Sequence, residues 1–151
     1  MVGRNRRGNA TKIMAMADGN GLPLSVVLAP GQRHEDNFVD DVIAARFTRQ
    51  KPKRLICDKA YDSKPLDEKL KLRAIELIAP KSFRKGQTKP KTGRRQDRRQ
   101  LRRYRRRWKV ERLFSWLFNF RRLVTRYEYK AENFLGLVHM ACVVILLRRS
   151  V

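Results

Sequence analysis

Cysteine and histidine are nearly missing from this sequence, two of each, and acids are scarce, 14 against 37 Lys and Arg. Cys57 and Cys142 stand apart in apolar stretches with no Cys-x-x-Cys spacing, which excludes a zinc-binding knuckle and a disulfide framework. Both thiols are expected to pack in a core. Long hydrophobic runs are also lacking. The longest mainly apolar stretch, Phe134 to Leu147, is too short to span a bilayer and contains Gly136 and His139, so it reads as a buried helix, and no membrane partner is expected. The residues after Met1, Val-Gly-Arg-Asn-Arg-Arg-Gly, offer no apolar segment of the secretory kind, and a cytoplasmic, nucleoid-associated location is expected.

What is present is positive charge on a foldable background. A length of 151 residues with 42% apolar composition is enough for one domain, 1–151, with a real core. The net charge of +23 is far beyond what solubility requires and points to a polyanionic partner. Charge concentrates between Lys81 and Arg112, where 16 of 32 residues are Lys or Arg and only Asp97 and Glu111 are acidic. Such a segment is suited to lie along phosphates, and an acid inside it opposes that binding unless it holds a metal or pairs with an arginine.

Apolar patterning gives an order of elements. Thr11–Ala17 and Leu22–Ala29, joined by Asp18-Gly19-Asn20-Gly21, predict a hairpin. An amphipathic helix is expected over Glu35–Phe47, then a short strand Arg54–Cys57 ending on Asp58. Asp62 or Ser63 is placed to cap a helix reaching about Arg73, and Ile75–Ala79 reads as another strand. Alternating strands and helices after a hairpin indicate an α/β fold with some parallel pairing. A basic loop is expected over about 81–96, one long helix from Asp97 to about Arg122, and a last apolar helix from about Glu132 to Arg148.

Two carboxylates stand out. Asp58 falls at the carboxyl end of a strand, where catalytic side chains of α/β sheets project, although capping a turn explains it equally well. Glu111 shares a helical face with Tyr104, Arg107, Ser115 and Phe118; taken alone, it is best explained as a surface acid paired with Arg107 or Arg112. Taken together, a strand-end Asp and a helix Glu flanked by arginines suit metal-assisted phosphoryl transfer, because carboxylate oxygens hold Mg²⁺ while guanidinium groups hold phosphates.

Tyr104-Arg-Arg-Arg107-Trp-Lys-Val-Glu111-Arg-Leu-Phe resembles the Tyr-x-x-Arg-x-x-x-Glu signature of bacterial insertion-sequence transposases with a DDE catalytic domain. Cys57-Asp58-Lys59-Ala60-Tyr61-Asp62 is similar to the segment carrying their second catalytic aspartate, and Asn119 to Glu128, followed by Asn133-Phe-Leu, to the stretch after their glutamate. The resemblance runs from about Gly8 to Arg149. It implies an RNase H-like, retroviral-integrase-like mixed sheet with flanking helices. Asp58 and Glu111 are then the catalytic metal ligands for Mg²⁺ or Mn²⁺, and Tyr104, Arg107, Arg112, Arg121 and Arg122 the DNA contacts.

In that signature a lysine follows the glutamate by seven residues; here the position is Phe118, and Arg121 or Arg122 is expected to take over its phosphate contact. The strand carrying the first catalytic aspartate should precede the hairpin, and nothing before Thr11 resembles it. Asp18 sits in a turn that favours local backbone bonding, a poor substitute. The chain is therefore expected to be the carboxyl-terminal part of a transposase, lacking the first central strand. As an isolated chain it should bind DNA without cutting it, and when complete it should work with an upstream fragment as a homo-oligomer. Two rival readings are a non-catalytic nucleic-acid binder and a nuclease of similar fold without strand transfer. His34, in the loop after the hairpin, reads as solvated, with a DNA contact as the alternative.

Overall fold

A computed structural model describes residues 3–5, 8–32, 34–81 and 97–149. Most of the expected basic loop, residues 82–96, lies outside the described residues. The chain divides into two compact units, one formed by Met1–Arg49 with Lys109–Val151 and the other by Gln50–Trp108. Both mix strands and helices.

In the first unit, β1 (Gly3–Asn5), β2 (Gly8–Ala17) and β3 (Pro23–Pro30) form an antiparallel sheet in that order. The β2/β3 hairpin is the expected one, with Thr11 opposite Pro30 and Met14 opposite Val27. β1 was not foreseen, because Gly-Arg-Asn carries no β-forming pattern and is held by backbone pairing to residues 8–10. It contains no acid.

The connecting turn is fixed by Asp18, whose Oδ1 accepts the amides of Asn20 (2.7 Å) and Leu22 (2.8 Å). Gly21 has φ +84°, and a Cβ there would lie 2.8 Å from Nη2 of Arg112. The left-handed backbone therefore demands glycine, and a Cβ would in addition push on the Arg112 side chain. Gly21→Ala is expected to lower stability by roughly 1–3 kcal/mol, read as a lower urea midpoint.

After β3 the chain forms a 3₁₀ turn, Glu35–Phe38, and α1 (Val39–Ala44), shorter than the helix expected to reach Phe47. The reason is tertiary: the amide of Phe47 donates to the carbonyl of Leu24 on β3 at 2.7 Å, drawing the backbone out of the helix. Ser25 is fully buried, and its hydroxyl donates to the Val42 carbonyl at 2.6 Å, so α1 is tied to β3 again.

The same unit is completed by α4 (Trp108–Phe118, from Lys109 onward), α5 (Arg121–Val124) and α6 (Ala131–Arg149). Leu113 and Leu117 of α4, Leu123 of α5, and Phe134, Val138, Cys142 and Ile145 of α6 cluster with Val26 of β3 into one core. α6 runs further than the apolar stretch seen in the sequence. By length and composition alone it could cross a membrane, but Phe134, Val138, Ala141, Cys142 and Ile145 are buried in this core. Met140, Val143 and Leu147 face outward. Cys142 packs as expected, and burial pushes its thiol up to about 11.

In the second unit β4 (Arg54–Ile56) and β5 (Glu76–Ile78) pair in parallel, Arg54 opposite Glu76 and Ile56 opposite Ile78, with α2 (Lys64–Leu72) as the crossover. Leu66 and Leu70 of α2 pack with Ile75, Ile78 and Ala79 as the buried residues of this unit. Ser63 occupies the cap position of α2, but its hydroxyl makes no cap bond, and Asp62 turns to Lys81 instead. Pro65 in the first turn, with its fixed φ, starts the helix in place of a side-chain cap.

The described strands form a three-stranded antiparallel sheet and a two-stranded parallel one, a mixed α/β arrangement compatible with the expected class. The expected long helix needs correction, because it is divided. α3 (Arg98–Tyr104) leads into a 3₁₀ turn at Arg105–Arg107 before α4, and Phe120, at φ −85° and ψ 106°, separates α4 from α5.

Candidate functional site

Asp58 is placed by backbone geometry at the end of β4. The Cys57 amide donates to the Ile78 carbonyl at 2.9 Å, extending the parallel pairing by one residue, and Asp58 then opens a 3₁₀ turn over Lys59–Tyr61. Its Oδ1 accepts the Lys59 amide at 2.6 Å, so the capping role is real. Its Oδ2 lies 3.9 Å from Nη1 of Arg107, and the side chain is 56% exposed. One oxygen thus serves the turn while the other faces a guanidinium and solvent. Cys57, just before it, is well enclosed, and burial followed by the charge of Asp58 pushes its thiol up to about 12.

Arg107 is held from several directions within this unit. Its guanidinium sits over the Tyr104 ring, 5.9 Å from the centroid. The preceding helix α3 is capped by Asp97, which accepts the Arg99 amide at 3.1 Å, and is tied to β5 by Arg103, whose Nη1 is 2.9 Å from Oε2 of Glu76. β5 is the partner strand of β4, so this ion pair relates the arginine turn to the strand that ends in Asp58. Asp62, only 2% exposed, pairs with Lys81 at 3.1 Å and anchors the residues after Asp58.

Glu111 is exposed in the first turn of α4. Its neighbours fix the helix: Lys109 and Arg112 donate to the carbonyls of Gly19 and Asn20 in the hairpin turn, while Leu113 and Leu117 are fully buried. Ser115 donates to the Glu111 carbonyl at 3.1 Å. The stripe from Tyr104 to Phe118 assumed one unbroken helix, and the 3₁₀ turn at Arg105–Arg107 interrupts its period.

The remaining arginines divide by role. Arg112, besides binding Asn20, lies over the Trp116 ring. Arg121 is exposed. Arg122 pairs with Glu128 at 2.5 Å and sits near the Tyr127 ring, which commits it within the protein. Phe118, where the family signature has lysine, is half-exposed and stacks on Phe114. Arg126 was not singled out from the sequence, yet it donates to the Thr11 hydroxyl (2.7 Å), the Glu128 carbonyl (2.9 Å) and the Tyr129 carbonyl (2.9 Å). Its long-range partner in β2 leaves no trace in local spacing. Asp18 is occupied by its own turn, and His34 is exposed.

The Arg122 hydrogen bond holds the Glu128 carboxyl below the usual carboxylate range, outweighing the opposing effect of desolvation. A carboxylate depressed on folding contributes stability that is present above its unfolded value, near ~4.3, and is lost as pH falls through the lower folded value. Glu128→Gln should therefore flatten the fall of the thermal midpoint below about pH 4.

Among the described residues no three or more His, Cys, Asp or Glu side chains form a group able to hold a metal ion.

Over residues 3–146 the sequence matches the family described as Transposase DDE domain. The chain belongs to this family. It is 28% identical over 149 residues to a candidate transposase for insertion sequence element IS402 of Burkholderia cepacia, an alignment covering 93% of this chain and 64% of that protein. The chain therefore spans under two thirds of the length of that relative. No solved structure matches it.

Proposed function

We propose that this chain carries two catalytic carboxylates of an insertion-sequence transposase, Asp58 and Glu111, on an RNase H-like scaffold, and that the complete protein cuts and joins DNA using Mg²⁺ or Mn²⁺. One observation carries the reading. Arg107, the arginine of the Tyr104-x-x-Arg107-x-x-x-Glu111 motif, lies 3.9 Å from Oδ2 of Asp58, far from it in sequence.

The donors suit the ion. Mg²⁺ is commonly held by one or two carboxylates and completed by water and substrate phosphates, and both acids are exposed. When bound, the metal stabilises charge on the phosphoryl oxygens and makes an attacking water or 3′ hydroxyl more acidic. The protein's own part is to position and to neutralise. Asp58 is held by the Lys59 amide, so its free oxygen has a fixed direction, and Arg107, splinted by Tyr104, offers guanidinium N–H groups to a phosphate beside it. Arg121, exposed after Phe118, is the better candidate for the missing lysine contact, since Arg122 is engaged by Glu128.

On this proposal the third carboxylate comes from an upstream transposase fragment, and the complete assembly is a homo-oligomer. On this reading the 151-residue chain binds DNA without cutting it. Supercoiled plasmid nicking with Mn²⁺ tests this. Nicking by the complete reading frame and none by the isolated chain is the expected pair of results. Nicking by the isolated chain would place the third acid within it, and no nicking by either would favour a non-catalytic DNA binder, the reading the +23 charge alone supports.

A further inference from the structure

The end of α6 holds more than helix capping requires. Arg148 and Arg149 lie in its last turn, where cations offset the partial negative charge of free carbonyls. That accounts for their charge but not for their placement. Arg149 lays its guanidinium over the indole of Trp116, 4.6 Å from the ring centroid, and Arg112 approaches the same ring at 4.9 Å. Beside them is a cleft of about 470 Å³ lined by Trp116, Asn119, Phe120, Ile145, Arg148 and Arg149. Its floor is apolar, its rim is two exposed guanidinium groups and an exposed amide, and no acid lines it.

We infer that this cleft is a binding site for the phosphodiester backbone of duplex DNA, with Arg148, Arg149 and Asn119 as donors and Trp116 as the splint. A guanidinium stacked on an aromatic face keeps its N–H fork free at the edge while losing much of its rotational freedom, so little further ordering is needed when an anion arrives. The fork matches the spacing of phosphate oxygens, and Asn119 adds a neutral donor beside it. Three donors with no neighbouring acid favour a tetrahedral anion over a neutral ligand, and a chain of charge +23 in a DNA-transposing family makes the DNA backbone the anion at hand. The inference rests on the DNA-binding part of the proposed function but not on cutting. The cleft contains neither Asp58 nor Glu111, so it adds grip on DNA and not chemistry.

Anisotropy of a labelled duplex with the full 151-residue chain, repeated across a salt series, tests it. The wild type should bind with log K falling linearly against log salt. The double variant Arg148→Gln, Arg149→Gln should bind about tenfold more weakly at low salt, with a slope shallower by about 1–2. Trp116 emission, read in a Trp108→Phe background, should change on adding duplex and stay unchanged with inorganic phosphate at equal phosphate concentration; this arm holds even where the double variant fails to fold. Unchanged slope and affinity in a folded double variant, or unchanged emission on duplex binding, overturns the cleft while leaving DNA binding intact. Saturation of the emission change by inorganic phosphate overturns the backbone assignment. No DNA binding by the wild type overturns both this site and the function it rests on.

Discussion

Asp58→Asn in the complete protein is expected to reduce DNA nicking by roughly 10³-fold or more while leaving the fold and DNA affinity in place. The substitution is isosteric. Its side-chain oxygen still accepts the Lys59 amide, as Oδ1 of Asp58 does at 2.6 Å, so the turn after β4 keeps its cap. What is lost is the negative charge facing Arg107, and with it a hard anionic donor for a divalent ion. Removing an acid beside phosphates does not weaken DNA binding, since it takes away a repulsion. Binding at wild-type strength, an unchanged thermal midpoint and background nicking are thus expected together. Nicking at the wild-type rate would reduce Asp58 to a turn cap.

The second large effect is on stability. Leu113→Ala should cost about 2–5 kcal/mol, because Leu113 is fully buried in the core shared by β3, α4, α5 and α6, and the vacated volume cannot be refilled by rigid neighbours. For a unit of this size that lowers the thermal midpoint by roughly 10 °C or more. Phe118→Ala, on the same helix but half-exposed, should cost far less, about 1 kcal/mol or under. Calorimetry on the two variants checks the contrast. Equal effects would mean that α4 does not pack by the face described.

Much of the local structure was legible in the sequence because it is written in short-range chemistry. The hairpin announced itself through two apolar runs around Asp-Gly-Asn-Gly, and β4 and β5 through short apolar runs stopped by Asp58 and Pro80. The carboxylates and the Tyr104–Arg107–Glu111 motif were visible as residues and spacing, which is why the family could be named from them. The break at Arg105–Arg107 was not legible, since arginine is a good helix former and only crowding of like charge argues against it. The shortening of α1 depends on a bond from Phe47 to Leu24, and the role of Arg126 on a bond to Thr11 across most of the chain. Asp62 illustrates the same limit. Its position before a helix suggested capping, whereas a lysine nearly twenty residues on, Lys81, claims its carboxylate.

Glu111 presents the sharpest choice between two physical accounts, and one variant separates them. In the complete protein, Glu111→Gln removes a charge from an exposed helical position next to Lys109, Val110 and Arg112 with little change of shape. If Glu111 is a metal ligand, Mn²⁺-dependent nicking falls to background while DNA binding holds or tightens, because one repulsive charge is gone from a basic surface. If it is only a surface acid paired with an arginine, the variant loses a few tenths of a kcal/mol of stability and nicks as before. Nicking and DNA affinity measured side by side on wild type and Glu111→Gln decide it. The expected result is lost cleavage with affinity retained, and wild-type cleavage by the variant would contradict the assignment of Glu111 to the catalytic centre.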